Sequence, residues 1–161
     1  MAQVKTKTIK SSDFRIRFEP NTLLRTKGGA TTAFIYWQFG SFCFPGPRWS
    51  DFVTVISAWW IDALRSLDKT QTLRFMDGPY FITATRVGTT DVQIDCHEDR
   101  EGKGLVESYR LPLRRVRDEL IGVSKAVVAA LRERNWGSRE LELLNNLVGS
   151  PWPGADDAKR D

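Results

Sequence analysis

The chain has one histidine, His97, inside the run Asp95-Cys96-His97-Glu98-Asp99. If that run is a strand, Asp95, His97 and Asp99 share a face. Imidazole and carboxylates together are suitable donors for a divalent metal or for acid–base work. The plainer reading is a charged loop in water, so no metal and no cofactor is expected. Nucleophilic catalysis has less support, because no serine sits in a nucleophile elbow and a triad would need a base beyond His97. Gly28-Gly29 and Gly102-x-Gly104 lack the lysine of a phosphate loop and the strand-turn-helix setting of a dinucleotide fingerprint. Cys43 and Cys96 belong to no CxxC pair, which predicts free buried thiols in a reducing compartment and not a zinc site.

Four arginines stand out next. Arg110, Arg114, Arg115 and Arg117 surround the start of the second long helical stretch, where cations oppose the helix macrodipole. Either Asp118 and Glu119 pair with them one turn on, or their forked guanidinium groups meet an anion or an acidic partner. Aromatic residues are the other abundant resource, with six Trp, three Tyr and nine Phe. Trp49, Trp59 and Trp60 crowd one helix; Trp49 precedes its cap and Trp60 is set off from Trp59 by about 100°, so Trp49 and Trp60 are expected to reach the surface. Tyr80 and Phe81, adjacent on a strand, point to opposite faces. Aromatic anchors beside arginine are what protein interfaces enrich. The candidate partner-binding set is therefore Trp49, Trp60, Tyr80, Arg114 and Arg117.

The elements that must position these groups follow from periodicity. Residues 1–12 are polar and aperiodic and predict a flexible basic arm. Phe14, Ile16 and Phe18 alternate with Arg15, Arg17 and Glu19, the two-residue period of a strand, which Pro20 is expected to end. Thr32 to Phe44 reads as a second strand. The strongest helix runs from a cap at Ser50 or Asp51 to Leu67, its apolar residues covering about 180° of arc, wider than the ~100° stripe of a surface helix. This predicts a central helix covered on more than one side. Segments 72–76 and 79–87 flank Asp77-Gly78, a tight-turn dipeptide. With 91–96 and 105–111 they predict an antiparallel meander. Pro112 suits a first helical position, and Leu113, Val116, Leu120, Val127 and Leu131 trace one stripe. Ser138 caps a shorter helix, and residues 150–161 are expected to form a flexible tail.

Length and charge bound the rest. With 161 residues, 41% apolar and 27% charged, the chain suits one globular domain. No apolar run approaches the ~18–20 residues that span a bilayer, and no secretory signal is evident, so a cytoplasmic location is expected. The net charge of +4 is unevenly placed. Residues 1–30 hold seven basic against two acidic groups, whereas residues 31–150 hold fifteen of each. A nucleic-acid domain should carry its excess on a folded face, and this surplus lies in the leader.

The proline-bounded FPGPRWSDF, the helix VISAWWIDAL, the hairpin LRFMDGPYFI and the closing amphipathic helix resemble small bacterial immunity proteins of polymorphic toxin systems over residues 32–148. That resemblance implies a protein that blocks one cognate toxin and has no activity of its own. It assigns no site residue, and the neutral-to-basic body departs from the acidic decoys that block nucleases. The fold expected is a single α+β domain (residues 13–149). One antiparallel sheet of about five strands would be packed on one face by the aromatic-rich helix and two C-terminal helices. The function expected is a non-catalytic protein-binding module and toxin inhibitor of immunity type. The alternative is an anion or nucleic-acid binder using Lys5, Lys7, Lys10, Arg110 and Arg115.

Overall fold

The computed structural model describes residues 3–153. Among the described residues, nine strands and three α-helices build an α+β domain with two sheets around one core. The strands are β1 (Thr6–Thr8), β2 (Phe14–Arg25), β3 (Thr31–Phe39), β4 (Phe42–Phe44), β5 (Ser50–Asp51), β6 (Thr70–Arg74), β7 (Tyr80–Val87), β8 (Asp91–Glu98) and β9 (Leu105–Pro112). The helices are α1 (Val53–Arg65), α2 (Leu113–Glu133) and α3 (Arg139–Gly149).

The meander β6 to β9 forms as its alternation predicts, and β1 joins it in parallel beside β9 to complete a five-stranded mixed sheet. Leu73, Ile82, Ala84, Val92, Ile94, Cys96, Tyr109 and Leu111 all lie on its inner face and are buried. The outer face is polar, with Thr72, Thr83, Asp95, Ser108 and Thr6 in one row across all five strands. The arm expected to be free at residues 1–12 is therefore a strand at 6–8, followed by a 3-10 turn at Ser11–Asp13. Its polar residues conceal the pairing because an edge strand on an open face buries little apolar surface.

The first strands do not join that sheet. β2, β3, β4 and β5 make a second sheet, with β4 and β5 pairing end to end along β3. Nor does Pro20 end β2. The register shifts between Glu19 and Leu24, and within that bulge the Thr22 hydroxyl donates to the Glu19 carbonyl at 2.7 Å and accepts from Phe34 N at 2.8 Å. The Thr22 hydroxyl thus bridges the Phe34 N–H and the Glu19 carbonyl where the register shifts.

Helix α1 is central, packed against β3, β6, α2 and α3. It is shorter than the apolar run suggested, because Ser50–Asp51 pairs with β3 before the helix begins. The stripe of α2, from Leu113 through Val116, Leu120 and Val127 to Leu131, is buried as its spacing predicts. Ser138 caps α3, its Oγ accepting from Leu141 N at 3.1 Å. No helix among the described residues is long and apolar enough to cross a membrane. Most of the expected tail (residues 154–161) lies outside the described residues.

Candidate functional site

The aromatic supply is used first for the core. Trp37 and Trp60 are fully buried and meet edge to face at 5.6 Å, and Trp60 contacts Phe75 at 5.2 Å. Trp60 therefore does not reach the surface as its position on the helix suggested. Its indole N–H donates to the Arg74 carbonyl at 2.8 Å, which satisfies the one polar atom of the ring. The exposed member of the pair is Trp59, at 44%. With α1 enclosed on four sides, only a narrow sector including Trp59 and Asp62 is open to solvent.

Trp49 and Tyr80 are brought together at one corner of the five-stranded sheet. Their rings meet edge to face at 5.1 Å, both half-buried. Asp51 holds this corner. Its buried carboxylate accepts from the Trp49 indole at 2.9 Å, from Met76 N at 3.1 Å and from Phe52 N at 2.8 Å. Burial pushes the Asp51 carboxyl above its ordinary value of 3.8, and these hydrogen bonds oppose the rise in part. The β6–β7 turn presses on the same indole: Gly78 has φ +72°, and a Cβ there would lie 2.8 Å from Trp49 Cη2. Met76, whose N–H bonds Asp51, is 38% exposed in the same turn. Arg100 lies over the Tyr80 ring at 5.9 Å and Arg74 over Phe81 at 5.7 Å. Arg48 lies over Phe34 at 5.6 Å. Met76 escapes a reading by periodicity, because only the hairpin brings its N–H to Asp51; Arg74 over Phe81 and Arg48 over Phe34 lie on other faces than Trp49 and Tyr80.

Asp95, His97 and Asp99 do not converge. Asp95 accepts from the Ser108 hydroxyl and from Gln93 Nε2, whereas His97 Nε2 is 3.0 Å from Thr83 Oγ1 and its ring stacks on Phe81 at 4.7 Å. Asp99 has left the strand, its backbone N–H donating to the Pro79 carbonyl. Among the described residues no group of three or more His, Cys, Asp or Glu is placed to hold a metal ion. Cys43 and Cys96 are unpaired, and burial raises both thiols.

The four arginines near α2 are dispersed. Arg110 pairs with Asp91 at 3.0 Å on the sheet. Arg114 is exposed, 4.0 Å from Asp118. Arg115 pairs with Glu119 at 2.8 Å and donates to the carbonyls of Ser11 and Phe14, each at 2.9 Å. It is a clamp that ties the start of β2 to α2, completed where Ile16 N donates to Glu119 at 3.1 Å. Arg117 turns the other way, its guanidinium carbon 5.0 Å from the centre of the Trp152 ring. Arg65 lies over the same ring at 5.5 Å, and Arg86 is tied to the Leu67 carbonyl two residues past Arg65; the sequence singled out neither. Burial and the Arg86 charge lower the affinity of Arg117 for its proton. In the N-terminal segment Lys7 pairs with Glu107 at 2.9 Å, and Lys5 and Lys10 are exposed.

A cleft of about 360 Å³ between the turn at Gly28 and Gly29 and the starts of α1 and α3 holds none of the residues selected from sequence. No family model, curated protein or solved structure matches this chain.

Proposed function

We propose that this chain is a non-catalytic protein-binding module, a cytoplasmic inhibitor of immunity type that docks on its toxin through the corner formed by Trp49, Met76 and Tyr80. The observation that carries this reading is the half-buried Trp49–Tyr80 pair, fixed from beneath by Asp51 and flanked by exposed Met76. Trp, Tyr, Met and Arg are the residues that interfaces concentrate, and anchors held in place before binding lose little rotamer freedom on docking. Two unpaired thiols suit a reducing compartment. Nucleic acid is the weaker alternative, since Lys7, Arg110 and Arg115 already face carboxylates.

Capture from the native host with the full chain as bait, followed by mass spectrometry and titration of the captured protein, tests the reading. One protein should bind stoichiometrically, and Tyr80→Ala should weaken it by at least about tenfold, the scale of a hot-spot residue. Trp59→Ala, outside the corner, should leave binding unchanged. Equal recovery by the wild type and by a Trp49→Ala, Tyr80→Ala double variant that keeps its circular dichroism spectrum would exclude the corner as the docking site.

A further inference from the structure

We propose that Arg65, Arg86 and Arg117 form a binding site for a phosphate-class dianion, free phosphate or the phosphate of a small phosphomonoester, beside the ring of Trp152. The three come from separate elements: the last residue of α1, the penultimate residue of β7 and the second turn of α2. The guanidinium carbons of Arg65 and Arg117 lie 5.5 and 5.0 Å from the same indole centre. Arg65 Nη2 donates to the carbonyls of Leu147 and Ser150 at 3.0 and 2.9 Å, and Arg86 Nε donates to the Leu67 carbonyl at 3.1 Å. These bonds hold two of the forks in place and leave most of their five N–H groups free. Arg117 makes no hydrogen bond among the described residues, and Nε of both Arg65 and Arg117 is buried without an acceptor.

No carboxylate among the described residues lies within 4.0 Å of these three side chains, whereas Arg110, Arg114 and Arg115 each have one. Neighbouring guanidinium groups in a partly desolvated setting repel one another, and an anion between them removes that cost. Fixed planar forks match the oxygens of phosphate two at a time. A doubly charged group offsets three cations better than one carboxylate does. The site is separate from the aromatic corner: Tyr80 opens β7 and Arg86 lies near its far end, about 20 Å away at ~3.3 Å per residue. Either reading can therefore fail without the other.

Titration of the full chain with inorganic phosphate, following the Trp152 indole N–H resonance assigned through Trp152→Phe, tests the site. Sodium chloride and acetate at matched ionic strength are the references. The resonance should shift saturably with phosphate, with a dissociation constant on the order of 1 mM or below, and barely respond to the references. Arg117→Gln and Arg86→Gln should each weaken binding at least tenfold. Arg117→Lys, which keeps charge and stem but loses the fork, should fall between them and the wild type, so a folding defect in one variant does not decide the outcome. Arg114→Gln on the same helix should bind as the wild type does. Phosphate should also raise the melting temperature of the wild type and not of Arg117→Gln. An equal shift with acetate, no saturation by phosphate, or equal loss in Arg114→Gln would overturn the proposal.

Discussion

Asp51 joins three segments by hydrogen bonds: the Trp49 indole, the start of α1 and the backbone of the β6–β7 turn. Its chemistry gives a direct test. A carboxyl whose value is raised in the folded state holds its proton more tightly there than in the unfolded chain. Between 3.8 and the raised value the folded protein therefore binds more protons, and stability falls as pH rises through that window. Asp51→Asn has no such titration. The difference in urea-unfolding free energy, wild type minus variant, should decline as pH is raised from about 3.5 and then level off once both states are ionised. A difference that rises with pH would show that the hydrogen bonds outweigh burial. The same residue shows what spacing can and cannot tell: Ser50 or Asp51 was expected as the helix cap, but Phe52 holds that position without a side-chain cap bond, and Asp51 accepts from Phe52 N just before the helix. Its grip on the distant turn depends on a contact across 25 positions that no local pattern encodes.

The β6–β7 hairpin shows element-scale dependence most clearly. Asp77-Gly78 was legible as a tight turn because glycine enters positive φ without penalty. What the dipeptide does not reveal is that an indole lies against it. Gly78→Ala combines an unfavourable backbone region with a Cβ 2.8 Å from Trp49 Cη2. It should cost about 1–3 kcal/mol in denaturant unfolding and displace Trp49, weakening partner capture more than a surface change of equal stability cost. Elements with strong periodicity, α1, α2 and the meander, were readable because a buried stripe or alternating face is a local signal. β1 and the second half of β2 were not. The first is polar on an edge, and the second continues past a proline across a register shift that the Thr22 hydroxyl bridges.

The α+β class was legible at the scale of the molecule, and the division into two sheets was not, because period-two patterns say that strands exist and nothing about which strands pair. The sheets meet through aromatic rings: Phe39 of β3 stacks on Tyr109 of β9 with centroids 4.2 Å apart and planes 3° from parallel. One shared core should unfold as one unit. Phe39→Ala should cost roughly 3–5 kcal/mol, with far-ultraviolet circular dichroism and tryptophan fluorescence giving coincident urea transitions. Separate transitions would show that the sheets are independent units. The candidate corner was half legible for the same reason: Trp49 and Tyr80 were selected for their type, but Met76 enters only through the tertiary arrangement.

The pairing of Thr6 with Ser108 joins positions 102 residues apart. On a ribosome the amino end emerges first, yet its partner strand appears only after two-thirds of the chain has been made. Until then the opening segment can have no native neighbour, so the sheet closes late in synthesis, after the β6–β8 hairpins have had the chance to form. A purification tag fused at the start would be tethered to the last strand docked onto that sheet.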